Sequence, residues 1–240
     1  VPLPFVLELL GFAGDKPNTA DGDSAQSVAI AAAVLEILGI KGPAEGGNKA
    51  GAALEAGVFG FMRDELPKRD PSRAWHVGRG GQISQYRQYA HLARVDELVR
   101  ADAALRVELG TDYLISPDVT VSFPHGADGQ LPLLHAAISC KFSIRSDRVQ
   151  NIRHESIGMI RHRRGRQPHI VAVTSEPLPS RLAAICRGTG EVDAVYHVCL
   201  AELQAAVSSV GNAEQQSHLD EVVGQQRLYD LSELAVHLTA

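Results

Sequence analysis

Between Tyr113 and Thr174 the chain carries four apolar segments rich in β-branched and aromatic residues, with helically spaced stretches on both sides of them. The segments cover 113–115, 119–123, 133–144 and 169–174; Ser116-Pro117 breaks the first pair, and the turn-rich 124–130 joins the middle pair. Runs of this kind, bounded by Pro, Gly, Asn and Ser, predict a sheet core. Helical periodicity covers 25–38, 52–65, 91–109, 151–161, 180–187, 200–210 and 217–229. Asp21 and Ser24 offer the first helix an N-cap and Gly39 a stop, while Pro67 is expected to end the second and Gly110 the third. Residues 41–51 are predicted to form a loop and 67–82 irregular chain. Helices on both sides of strands make the fold class α/β. At 240 residues and 45% hydrophobic content, one domain spanning 1–240 is expected.

Bulk properties exclude several function classes. A membrane span needs roughly 20 apolar residues, and the most hydrophobic run, 28–40, is interrupted by Glu36. The opening segment 1–10 lacks the basic leader and small-residue cleavage site of a secretory signal. Cys140, Cys186 and Cys199 have neither zinc-site spacing nor an even count for a disulfide framework, so a reducing cytoplasm is the expected compartment. The net charge of −5 argues against a nucleic-acid partner until its distribution is considered. Between Lys141 and Arg166 stand Lys141, Arg145, Arg148, Arg153, Arg161, Arg163, Arg164 and Arg166 against only Asp147 and Glu155. Such a run is either a solvated helix face or a phosphate-binding surface.

The chemistry-bearing residues lie in the same region. Ser116-Pro117-Asp118-Val119 puts a carboxylate at the start of a strand, and Ile138-Ser139-Cys140-Lys141-Phe142 puts a lysine inside an apolar one, where a charge without a partner is costly. Phosphodiester hydrolysis needs a metal to stabilise charge on the phosphate and lower the pKa of the attacking water, with a cation near that water. Asp118 suits the metal, Lys141 the water or phosphate, and the Cys140 carbonyl a hard oxygen ligand. The bland alternative is a Pro-Asp turn and a snorkelling lysine. Downstream, Arg145-Ser146-Asp147-Arg148 offers two guanidinium forks that match guanine O6 and N7, and a carboxylate that can accept from cytosine N4. Glu155 adds a second carboxylate.

The run Ser139-Cys140-Lys141, then Arg145-Ser146-Asp147-Arg148, then Glu155, closely resembles the active-site and recognition segment of the NgoMIV-type restriction endonucleases, members of the PD-(D/E)xK nuclease superfamily. The likeness continues through 170–181 and 188–197 and covers the chain from about Asp112 onward; earlier, only Asp21-Gly22-Asp23-Ser24 and the helix carrying Glu55 match. The resemblance implies a central mixed β-sheet flanked by helices and a Mg2+-dependent type II endonuclease, with up to two metals per active site. It implies Asp118 as principal metal carboxylate, Lys141 as catalytic lysine, Cys140 as carbonyl ligand, and Glu55 and Glu155 as outer carboxylates. By the same likeness Arg145, Asp147 and Arg148 would read a CCGG core in double-stranded DNA, Arg181 an outer G·C pair, and Ser24 would also touch DNA. A GCCGGC site, 5′ overhangs, a homotetramer built from dimers and a bacterial cytoplasmic setting are further implications. The chain departs from the pattern by being shorter near its start.

Rival readings are weaker. The ten histidines show no zinc-ligand spacing. Cys140 as a thiol nucleophile lacks an oriented base, and Gly78-Arg79-Gly80-Gly81 lacks the strand and the Lys-Ser/Thr ending of a phosphate loop. Two classes stay open: a sequence-specific endonuclease, or a catalytically inactive sequence-specific DNA-binding module.

Overall fold

The computed structural model describes residues 2–126, 129–144, 146–188 and 190–240, with the side chains of 146–148 outside the described set. The chain opens with two features that the sequence reading did not foresee. One is a short helix, α1 (Pro4–Leu9), with proline in its first turn; the other is a two-residue hairpin of β1 (Phe12–Ala13) and β2 (Lys16–Pro17). Helix α2 (Ala25–Ile37) starts where Ser24 accepts a hydrogen bond from Ser27 N–H at 3.2 Å. It buries Ile30, Ala31, Val34 and Leu35 and ends at Gly39, whose φ of 69° glycine tolerates. Helix α3 (Gly47–Arg69) starts five residues before the expected 52 and runs through Pro67. A proline this near a helix end removes few ladder bonds, and the stripe Ala50, Leu54, Val58, Met62 and Leu66 keeps the last turn packed. A Cβ on Gly57 would overlap the Phe5 ring, so glycine is what allows α1 to lie on α3.

Residues 76–79, expected to be irregular, form strand β3 (His76–Arg79). The predicted 91–109 helix is two helices, α4 (His91–Ala101) and α5 (Ala103–Leu109), because Asp102 turns the chain and caps α5 by accepting from Ala104 and Leu105 N–H at 2.8 and 3.2 Å. Residues 113–115 are not a strand; Tyr113 and Ile115 are buried in irregular chain, and the Ile115 carbonyl accepts from Ile83 N–H.

The rest alternates: β4 (Val119–Phe123), β5 (Leu133–Lys141), α6 (Ser146–His162), β6 (His169–Thr174), α7 (Pro179–Cys186), β7 (Ala194–His197), α8 (Leu200–Val210), α9 (Ala213–Gly224), β8 (Leu228–Asp230) and α10 (Leu234–Thr239). β7 was not anticipated, and β8 overlaps the end of the expected 217–229 helix, which stops at Gly224 before Gln226 takes a positive φ of 54°. Strands β3 to β8 form a six-stranded mixed sheet in sequence order, antiparallel across β3-β4-β5 and parallel across β5-β6-β7-β8. Helices lie on both faces. Val119, Val121, Ala136, Ile138 and Cys140 join the larger core with α2, α3 and α8, while Ala137 and Ile170 join Leu92, Val99 and Met159 on the other side. A register shift in β4-β5, where Val121 pairs with Ala136 but Ser122 with Leu134, flips the parity of β5 and sends Leu134 to the second core. Among the described residues no helix is long and apolar enough to cross a membrane.

A buried carboxylate braces the connection after β6. Glu176 is fully shielded from solvent; its Oε2 accepts from Ile144 N–H at 2.7 Å and its Oε1 from Leu178 N–H at 3.1 Å. Burial pushes this carboxyl up to about 7, against those two donors and Arg181, which favour the ionised form. A carboxyl raised in the folded state binds more protons there than when unfolded, so its stabilisation is complete below about 4.5 and is lost as pH rises through 7. Buried His135 and His197, pushed down to about 4, tilt the profile the other way. The difference between wild type and Glu176→Gln isolates the carboxyl. Chemical denaturation should show that difference moving in favour of the variant by about 3 kcal/mol between pH 4.5 and 7.5; a flat difference would show an unshifted group.

Candidate active site

The site is built at one end of β4 and β5. Their register pairs Val119 with Ile138, so one step back Asp118 stands opposite Ser139, and strand alternation puts Asp118, Ser139 and Lys141 on one face. The side chains meet: Lys141 Nζ donates to Asp118 Oδ2 at 2.8 Å, and Cys140 N–H donates to the same oxygen at 2.7 Å. Each of the two charged side chains keeps about a quarter of its surface exposed, 26% and 27%, which leaves the pair open to a substrate. Both bonds fall on Oδ2, so Oδ1 has no hydrogen bond to a described residue.

Beside this pair lies a cleft of about 450 Å³ lined by Gly47, Asn48, Glu55, Cys140, Lys141 and Asn151. The early start of α3 brings its first turns to the end of β5. Glu55, two turns into that helix, accepts from Arg79 Nε on β3 at 2.9 Å, a partner within the stretch expected to be irregular chain. Glu155, on α6, is half-buried; burial raises its carboxyl, Lys141 opposes the rise and Asp118 adds to it, which places Glu155 within electrostatic reach of both. The Cys140 thiol is buried and pushed well above its ordinary range, first by burial and then by the Asp118 charge, so it is no nucleophile.

Among the described residues, no three His, Cys, Asp or Glu side chains converge on one point as direct metal ligands. Magnesium does not require that. It keeps several waters and is held through one or two carboxylates. Asp118 Oδ1, with Glu55 lining the adjoining cleft and Glu155 within electrostatic reach of Asp118, is a donor set that fits a hard divalent cation.

The remaining predicted contacts divide. Arg145 and the side chains of Asp147 and Arg148 lie outside the described residues. Arg181 stands in the first turn of α7 and is engaged, donating to Ile144 O at 3.0 Å and pairing with Asp21, with Glu176 Oε2 at 3.8 Å. It therefore meets the Asp21–Ser24 loop beside the residue that leads into 145–148, a convergence across 160 positions that no spacing pattern signals. The Ser24 hydroxyl is occupied as the α2 cap. The Arg161–Arg166 group begins in the last turn of α6 and continues past it, and the 17 residues of that helix carry it roughly 24 Å from the candidate site.

A sequence model of the family described as NgoMIV restriction enzyme matches residues 11–131 and 124–240, reaching well into the part where the sequence reading found only fragments. The two stretches overlap at the turn between β4 and β5. The type II restriction enzyme NgoMIV of Neisseria gonorrhoeae is 36% identical over 254 residues, covering 92% of this chain and 89% of that protein. Two solved structures, each 13% identical, also align. The restriction endonuclease Bse634I with cognate DNA has a TM-score of 0.42 and coverage of 85% of this chain and 79% of that one. The pre-specific restriction endonuclease BsaWI–DNA complex has a TM-score of 0.34 and coverage of 74% and 64%. With a family model spanning nearly all of the sequence and a relative this similar over its length, the chain belongs to the NgoMIV restriction enzyme family of type II restriction endonucleases.

Proposed function

We propose that the chain, acting as one domain over 1–240, is a Mg2+-dependent site-specific deoxyribonuclease of the PD-(D/E)xK type in the bacterial cytoplasm. The observation that carries this reading is the Asp118–Lys141 contact of 2.8 Å, beside a cleft that Lys141 and Glu55 both line. Asp118 would hold the metal through its unbonded oxygen, the Cys140 carbonyl would be a second hard ligand, and Glu55 and Glu155 would hold it through water, with room in that donor set for up to two ions. When bound, Mg2+ supplies charge stabilisation at the scissile phosphate and a lowered pKa for water. Lys141 donates to Asp118 and exchanges that partner for the attacking water or a phosphate oxygen when DNA enters.

Specificity falls to the residues after β5. Arg145 and Arg148 read guanine, Asp147 reads cytosine, and together they select a CCGG core; Arg181 takes the outer G·C pair and Ser24 lies on the same side. The site is then GCCGGC, cut to leave 5′ overhangs, by a homotetramer built from dimers that engages two DNA copies. A plasmid with paired GCCGGC sites should give discrete fragments with magnesium and none with EDTA. DNA binding without any magnesium-dependent cutting would leave an inactive recognition module.

Asp118→Ala is expected to lower cleavage by at least about a hundredfold, several kcal/mol of transition-state stabilisation, while binding in calcium stays near wild type; cutting at the normal rate would remove Asp118 from the mechanism. Arg145→Ala or Arg148→Ala should cost roughly 1–3 kcal/mol of discrimination at one G·C pair, measured as binding to the cognate duplex against single-pair variants. Equal loss on every sequence would make those arginines phosphate contacts.

A further inference from the structure

The basic residues after α6 are not absorbed by the cleft. Arg164 and Arg166 line a separate concavity of about 310 Å³ with Arg87, His125, Phe123 and Leu133. Phe123 and Leu133 are register partners at the far end of β4-β5, and the eight steps from Leu133 to Lys141 separate this concavity from the active site by roughly 26 Å. One guanidinium on a surface needs no explanation, but three around one hollow repel one another unless an anion joins them. None of Arg87, Arg164 and Arg166 forms an ion pair with a described residue.

The backbone that carries them is fixed. Gln88, 1% exposed, donates to Leu134 O at 2.7 Å and accepts from Leu134 N–H at 3.0 Å, which locks its amide to β5. The same amide reaches Arg166 O at 3.3 Å, and Gln88 O accepts from Arg164 N–H at 2.9 Å. Arg87 N–H is held by Pro132 O at 2.9 Å. One buried glutamine thus joins the chain segments that present the guanidiniums. Its cost as a buried amide is offset by three bonds, and its effect is to hold the cations together before any ligand arrives.

We propose that this concavity is a phosphate-ester binding site, distinct from the cleavage cleft and at the opposite end of the sheet. Guanidinium forks match phosphate oxygens in pairs, and a hollow of about 310 Å³ holds a phosphate group with its ester substituent. The ester is either a free nucleotide or a phosphate in the backbone of a DNA segment other than the one being cut.

The test compares wild type with Arg164→Ala/Arg166→Ala and with a charge-matched control outside the hollow, Arg161→Ala/Arg163→Ala. Binding of 5′-AMP is followed by 31P NMR. Binding of a labelled 20-base-pair duplex without a CCGG core is followed by anisotropy after the cleft is filled with short unlabelled cognate duplex in calcium. For at least one probe the first variant should bind roughly tenfold more weakly than wild type, the equivalent of one charge-assisted contact, while the control stays within about twofold and thermal midpoints agree. Loss for AMP alone identifies a free ester, and loss for the duplex a backbone phosphate. Equal weakening in both double variants, no change in either, or no binding of either probe to the wild type overturns the site. Cleavage of a short cognate duplex stays at the wild-type rate in all three proteins, so failure here is separable from failure of the nuclease reading.

Discussion

The ion pair between Asp118 and Lys141 sets the terms for everything around it. An ammonium at the end of a strand buried from Leu133 to Cys140 is costly to desolvate, and one carboxylate oxygen at 2.8 Å answers it while also taking the Cys140 N–H. That arrangement holds only in one register. A slip by one residue would turn Lys141 into the larger core and take it away from Asp118, because strand side chains alternate. The pairings from Val119–Ile138 to Val121–Ala136 secure the register near the site, and the irregularity beyond them lets the far half of the hairpin satisfy the second core without disturbing it.

A second constraint acts where the chain leaves β5. Ile144 has both backbone polar groups claimed by side chains, its N–H by Glu176 of the β6–α7 connection and its carbonyl by Arg181 in the first turn of α7. Residue 145 follows directly. Glu176, a side chain that water does not reach, therefore fixes the chain leaving β5 to the connection between β6 and α7. Arg181 extends the brace to Asp21, so the loop before α2 is tied to the same point.

Much of this was legible in the sequence, and what was not has definable causes. Val119–Phe123 and His169–Thr174 were readable because an apolar β-branched run is its own signal, and Lys141 stood out because a charge there violates the pattern. His76–Arg79 and Leu228–Asp230 were invisible: strands of four and three residues with little apolar content exist only because a longer neighbour offers hydrogen bonds. Pro67 and Asp102 misled in opposite senses. Tertiary packing through Leu66 carried a helix past a proline, and one side-chain cap split a helix that periodicity joined. In the site, Asp118 and Lys141 were found by residue type, whereas Arg79 with Glu55, 24 positions apart, and Asp21 with Arg181 required coordinates.

Why Lys141 and not another residue of the sheet edge is proposed as the centre of the chemistry follows from a row of polar residues at the carboxyl ends of the parallel strands. Lys141 pairs in register with Thr174, Thr174 with His197, and His197 with Asp230. Three of the four are consumed by the turn that follows their own strand. Thr174 Oγ1 accepts from Glu176 N–H. His197 Nδ1 accepts from Cys199 N–H, which leaves Nε2 protonated to donate to Glu176 O, a neutral ring that agrees with its pKa of about 4. Asp230 accepts from Leu200 and Ser232 N–H. Each thereby terminates its strand and orders an exit from the sheet. Lys141 has no acceptor to offer a backbone N–H, and its described partner comes from the adjacent strand instead of from its own turn. It is thus the member of the row whose charge can be redirected without unravelling a connection, at the carboxyl end of parallel strands where open α/β sheets place their ligands.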